Sequence, residues 1–150
     1  MTVIAYDGRT VAADKLAISS GLCRTTTKLF RIRDEVVTIN GDAAFGMLLV
    51  AWYDDGANPT DYPKCDHDDV PANLTVFGWR KPVKQYEYGG VPVVFEDSIF
   101  ATGCGRDFAL AAMEMGADAI RAVEIACKYE ASCGMGIDHF NLEQIAAKAA

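Results

Sequence analysis

The chain has 150 residues, 51% hydrophobic and 23% charged, which suits one domain spanning residues 1–150 with a sizeable core and excludes wholesale disorder. Fourteen Lys and Arg against 21 Asp and Glu leave a net charge of −7, which argues against a general phosphate-binding surface and against nucleic acid as a partner. The five cysteines (Cys23, Cys65, Cys104, Cys127 and Cys133) form no CxxC pair, so zinc ribbons and thioredoxin-type motifs are excluded and reduced thiols in a cytoplasmic protein are the simplest reading. No apolar run is long enough to span a bilayer, and the first residues lack the basic start of a signal peptide, so no membrane association is expected.

In chain order, Thr2–Tyr6 reads as a strand, Asp7-Gly8 as a tight turn, and Thr10–Ala13 as the returning strand of a hairpin. Ser19–Thr27 is rich in Ser, Thr and Gly. Lys28–Ile32 alternates charged and apolar residues, the period of a half-buried strand, and Glu35–Ile39 is its partner. Asp42 is placed to cap a helix over Ala43–Tyr53. That helix is apolar nearly all round, so it should be sandwiched or lie at a subunit interface. Residues 54–73 read as a loop rich in proline and aspartate.

Strands follow at Leu74–Trp79, Lys84–Tyr88, Val91–Phe95 and Ser98–Thr102. Two helices are expected next, from Arg106 or Asp107 to Met115 and from Asp118 to about Tyr129. In the second, Ile120, Val123, Ala126 and Cys127 share a face, and Glu124 and Lys128 form an i,i+4 pair. Ile137–Phe140 reads as a closing strand and Asn141–Ala150 as a short helix capped by Asn141. Mostly antiparallel strands with a few apolar helices give an α+β class.

Thr2 is the first residue with catalytic promise. A small side chain after Met1 permits removal of Met1, and a terminal threonine is a self-contained nucleophile and base. Its hydroxyl attacks while its own α-amino group takes the proton. An α-amino group has a reference pKa of about 8, well below that of lysine, so a useful neutral fraction exists near pH 7. Such an amine needs a cation beside it, a carboxylate to orient the cation, and a backbone N–H for the oxyanion. Asp14, ending the second strand, and Lys28, beginning the next, supply both charges.

Thr2-Val3-Ile4-Ala5-Tyr6, Val11-Ala12-Ala13-Asp14, Lys28-Leu29-Phe30-Arg31-Ile32, Gly41-Asp42 and Ala101-Thr102-Gly103-Cys104-Gly105 occur in an order that resembles proteasome β-type subunits. The chain is most similar to short bacterial and phage proteasome-like proteins related to the bacterial heat-shock peptidase. The resemblance covers nearly the whole chain. It implies an N-terminal-nucleophile hydrolase with a four-layer αββα sandwich, its second helix shortened or missing in the 54–73 region. It further implies Thr2 as nucleophile, Lys28 as the cation near the amine, and Asp14 as the acid orienting Lys28. Thr38 occupies the position of the family's oxyanion glycine, with its backbone N–H in that role. Cys104 replaces a serine near the terminal amine. The family's Asp-x-x-Ser pair matches Glu130 and Cys133, with Tyr129 and Ser132 as the alternative register.

The implied activity is a threonine-type endopeptidase acting on peptides or unfolded proteins inside a homo-oligomeric ring, with an unfoldase ATPase as a further partner. It requires no cofactor and no metal. Two alternatives stay open from sequence: a catalytically impaired assembly or scaffold protein, and an amidohydrolase for small amides.

Other clusters are weaker. Cys65-Asp66-His67-Asp68-Asp69 is dense in metal-ligand types, but neighbouring residues of one loop rarely close a tetrahedral site, and a solvated acidic loop is expected. Gly103-x-Gly105 lacks the third glycine of a dinucleotide fingerprint. A thiol–imidazole dyad of Cys104 or Cys133 with His139 is a minor possibility against a structural histidine. Trp52 and Trp79 are expected in the core or at an interface.

Overall fold

The computed structural model describes residues 1–65 and 72–150. The chain opens with the expected hairpin, β1 (Val3–Tyr6) and β2 (Thr10–Asp14). Asp7 closes the turn by accepting the Arg9 and Thr10 amides, and Gly8 supplies a φ of +92°. Ala5 lies opposite Ala12 and Ile4 opposite Ala13. The register therefore carries the start of β1 and the end of β2 to the same end of the sheet.

The Ser/Thr/Gly-rich stretch, to which the sequence assigned no element, contributes to a hairpin: β3 (Leu16–Ser19) and β4 (Leu22–Thr25). Ser20 and Gly21 turn it with φ of +51° and +78°. Beyond Leu16 and Ala17 its residues are exposed. With neither face buried, the period-two contrast that announces a strand never develops.

β5 (Leu29–Ile32), β6 (Glu35–Gly41), β7 (Ala72–Gly78), β8 (Val83–Tyr86) and β9 (Val93–Phe95) form an antiparallel sheet in chain order. β10 (Phe100–Gly103) and β11 (Ile137–Asn141) flank the first hairpin, giving the order β10-β1-β2-β11. The strand alternation sorts side chains between two interfaces. Ile4, Tyr6, Val11 and Ala13 meet Leu29, Val36, Phe77 and Val83 between the sheets. Val3, Ala5 and Ala12 face α2 (Arg106–Glu114) and α3 (Ala119–Tyr129). On the far side, α1 (Ala43–Asp54) packs Leu49, Val50, Trp52 and Tyr53 against Val37, Leu74 and Val76. The layers are thus α2 and α3, sheet, sheet, α1.

Between α1 and β7 the helical structure among the described residues is a single three-residue 3-10 helix, Pro59–Asp61. Met47 and Leu48 of α1 are 46% and 55% exposed. Trp52 fits the core expectation: Tyr53, Tyr62 and Tyr86 surround it edge-on, and its indole donates to Asn58 O at 2.8 Å. Trp79 is half-buried under Arg80.

The caps follow the sequence. Asp42 accepts the Phe45 amide at 2.8 Å, Asp118 the Arg121 amide at 2.8 Å, and Asn141 the Gln144 amide at 3.0 Å. Asn141 starts α4 (Leu142–Ala149), which lays Leu142 and Ile145 into the core between the sheets. One local expectation changes: Glu124 pairs with Arg121 at 2.8 Å, while the Lys128 ammonium lies 5.2 Å from the centre of the Tyr129 ring.

Candidate active site

Three elements deliver the site. Thr2 leads into β1, Asp14 ends β2, and Lys28 leads into β5. All three are buried: Thr2 is 6% exposed, Asp14 0% and Lys28 7%. Lys28 Nζ lies 2.7 Å from Asp14 Oδ1, and the Thr2 hydroxyl donates to the same oxygen at 3.1 Å. The Val3 amide donates to it at 2.9 Å. Asp14 Oδ2 accepts the amides of Leu16 at 3.2 Å and Gly134 at 3.0 Å. A carboxylate can be buried at this depth because charge-assisted donors replace its water.

Lys28 also reaches Met1 O at 3.4 Å. Its backbone carbonyl is held by the Thr38 hydroxyl at 2.8 Å. Thr38 is fully buried in mid-strand, opposite Leu29. A cavity of about 530 Å³ opens over Thr2 and Lys28. The β6 residues on its wall are Ile39, Asn40 and Gly41. Thr38 is not among them, and its hydroxyl is turned to the Lys28 carbonyl. Gly41, quoted in the sequence only as part of the Gly41-Asp42 motif, lies on this wall with a φ of +110°.

Cys104 touches the Thr2 main chain at two atoms. The Thr2 N–H points to Cys104 Sγ at 3.2 Å, and the thiol donates to Thr2 O at the same distance. Gly103 permits this approach, since a Cβ there would lie 2.2 Å from Thr2 O. Cys133 is buried, with its sulfur 3.6 Å from Cys104 Sγ. Burial, the contact with Cys104 and the nearby Asp14 charge all push the Cys133 thiol upward.

Glu130 is the C-cap residue of α3. Its carboxylate accepts the Ser132 amide at 3.0 Å, which holds its pKa below the usual carboxylate range, with the amino terminus a minor contributor. Tyr129 is exposed and stacks on Phe108. His139 is exposed on β11 opposite Ala12, and no hydrogen bond among the described residues joins it to Cys104 or Cys133. Of the Cys65–Asp69 run, residues 66–69 lie outside the described residues.

The layered sheets, with the head of β1 facing the cavity, define the fold of the proteasome-type N-terminal-nucleophile hydrolases. Among solved structures, the chain is similar to Thiobacillus denitrificans BPH in complex with epoxomicin, at 21% identity and a TM-score of 0.69, covering 93% of this chain and 97% of that one. It is similar to eukaryotic HslV from Trypanosoma brucei, at 22% identity and a TM-score of 0.66, covering 93% and 98%. A third neighbour is the Anbu (Gly-1) mutant from Hyphomicrobium sp. strain MC1, at 13% identity and a TM-score of 0.65, covering 93% and 81%. No protein-family profile and no curated protein matches the sequence. No helix among the described residues is long and apolar enough to cross a membrane.

Proposed function

We propose that this chain, as a single domain, is a threonine-type N-terminal-nucleophile peptidase acting on peptides or unfolded proteins. The observation that carries the reading is the convergence of the Thr2 hydroxyl and the Lys28 ammonium on one oxygen of buried Asp14, at the floor of a cavity. Removal of Met1 would turn the Thr2 nitrogen into a free amine beside that hydroxyl. Thr2 Oγ then attacks the peptide carbonyl carbon, and the hydroxyl proton passes to the amine. Collapse of the tetrahedral intermediate breaks the C–N bond, and the amine returns the proton to the leaving group. Water, deprotonated by the same amine, cleaves the resulting ester.

Asp14 orients Lys28, and the Lys28 charge favours the negative oxygen that develops at Thr2. Gly41, on the cavity wall, is better placed than Thr38 to offer a backbone N–H to the oxyanion. Cys104 holds the nitrogen that becomes the base, while Glu130 acts on the Ser132 turn. The reaction needs no cofactor or metal.

The proteasome-like fold also supports assembly into a homo-oligomeric ring in the cytoplasm, with an unfoldase ATPase delivering substrate. The exposed apolar face of α1 fits contact with a second copy.

Intact mass after native expression tests the first requirement: loss of Met1 is expected, and uniform retention would sink the catalytic reading. Once Met1 is lost, an electrophile directed at N-terminal threonine should label the protein, and Thr2→Ala should abolish the label. Labelling that persists in Thr2→Ala would move the nucleophile to a cysteine.

A further inference from the structure

We propose that Cys104 and Cys133 are a redox-active thiol pair that a hydroperoxide oxidises to a disulfide, withdrawing the Cys104 sulfur from the Thr2 nitrogen. The part concerning Thr2 rests on the reading of Thr2 as nucleophile. The part concerning the disulfide stands on the thiols alone.

Three features support it. The two sulfurs are in contact at 3.6 Å although 29 residues separate them. A disulfide needs about 2.05 Å, so closure requires a shift of roughly 1.5 Å, shared between two side chains that rotate about χ1. Gly105 leaves room beside Cys133: a Cβ there would lie 3.1 Å from Cys133 Sγ and 2.8 Å from Val3 Cβ. Finally, the pair differs in access. Cys104 is exposed to solvent, and Cys133 is 6% exposed. An oxidant meets Cys104 first, and Cys133 resolves the product.

The chemistry balances in two steps. The Cys104 sulfur attacks the terminal oxygen of the hydroperoxide, the O–O bond breaks, the thiol proton passes to the departing oxygen, and the products are a Cys104 sulfenic acid and an alcohol, or water when the oxidant is hydrogen peroxide. The Cys133 sulfur then attacks the sulfenic sulfur. An S–S bond forms, the S–O bond breaks, and the hydroxide leaves as water with the Cys133 proton. The two thiols together give up two electrons, which the peroxide accepts.

The consequence for the site follows from what each sulfur touches. Cys104 Sγ meets both the nitrogen and the carbonyl oxygen of Thr2. Cys133 precedes Gly134, whose amide holds Asp14 Oδ2 at 3.0 Å. Drawing the sulfurs together pulls Cys104 off the Thr2 main chain and tugs the Gly134 turn that positions Asp14. Oxidation would thus disturb the base and the acid at once, and a thiol reductant would restore both.

The test uses the full chain, purified reduced and then treated with hydrogen peroxide. Peptides mapped by mass spectrometry without reduction should show a 104–133 link short of two hydrogens. Labelling of Thr2 by the threonine-directed electrophile should fall by about tenfold or more and return with dithiothreitol. In Cys133→Ser and Cys104→Ser, the ratio of oxidised to reduced labelling should be close to unity. Cys127→Ala should keep both the link and the ratio. If Cys133→Ser fails to fold, Cys133→Ala and the peptide map of the native chain carry the test.

Absence of the 104–133 link, or a link that leaves labelling unchanged, overturns the proposal. If Thr2 is never labelled in the reduced chain, the nucleophile reading fails, and the peptide map alone then decides whether the thiol pair oxidises.

Discussion

Lys28 Nζ sits 2.7 Å from Asp14 Oδ1 in a pair that is almost wholly buried, with side-chain exposures of 8% and 0%. The two ends of that pair are not equally dependent on each other. Asp14 accepts four further hydrogen bonds, from Thr2, Val3, Leu16 and Gly134. Lys28 has in addition a 3.4 Å contact with Met1 O.

This asymmetry predicts an order of stabilities. Asp14→Ala strands a buried ammonium and several amides, and is expected to cost about 3–5 kcal/mol. That corresponds to a fall in Tm of roughly 6–20 °C for a chain of this size. Lys28→Met leaves Asp14 with its other donors and is expected to cost about 1–3 kcal/mol. Labelling of Thr2 should be lost in Lys28→Met even though it folds. Thermal denaturation of both variants checks the order, and a larger loss for Lys28→Met would reverse the assignment of Asp14 as the hub.

Gly103 is required by contact as well as by conformation. Its φ is +92°, and a Cβ there would meet Thr2 O at 2.2 Å and Thr2 Cγ2 at 2.6 Å. Gly116 has a φ of +97° with nothing within 4 Å of its added Cβ. Gly116→Ala is therefore expected to cost about 1 kcal/mol of backbone strain, and Gly103→Ala well above about 2 kcal/mol. Urea unfolding midpoints of the two variants measure the difference. Similar midpoints would mean that the β1–β10 junction yields.

Cys127 gives a pH dependence. Burial first, then the Asp14 charge, push its thiol from an ordinary value of 9.0 to about 11. A folded-state pKa raised above the unfolded one stabilises the fold while the thiol is protonated. That contribution is complete below about pH 9 and is lost as the pH rises towards about 11. Stability should therefore decline across this window, and less steeply in Cys127→Ala. Urea titrations at a series of alkaline pH values check the slopes; parallel curves would assign the alkaline loss to other groups.

Leu48 addresses assembly. It is 55% exposed on the same helix that buries Leu49, Val50, Trp52 and Tyr53. If the uncovered face of α1 joins copies of the chain, Leu48→Glu should shift the light-scattering mass to a smaller species and leave the far-UV spectrum unchanged. An unaltered oligomer would place the subunit contact elsewhere, and a monomeric wild type would end the ring reading.

Local patterns in the sequence foretold much of this molecule. Alternation marked β5, Asp7-Gly8 marked the first hairpin, and Asp42, Asp118 and Asn141 marked helix starts, because each signal acts over a few residues of backbone. The order of Thr2, Asp14 and Lys28 pointed to the same fold that the solved structures share. The β3–β4 hairpin escaped because its exposed residues carry no buried face. Position within β6 escaped as well: only the packed sheet places Gly41 on the cavity wall and Thr38 inside.

The amino-acid sequence by itself determined which residue types stand at the head of β1, the end of β2 and the start of β5, since these follow from local turns and strand periods. Tertiary structure alone decided that five donors meet on Asp14 and that Cys104 touches both Thr2 and Cys133. Those contacts join distant segments, and their distances are set by strand register and by the glycines that let backbones approach. No short-range pattern in the chain encodes either.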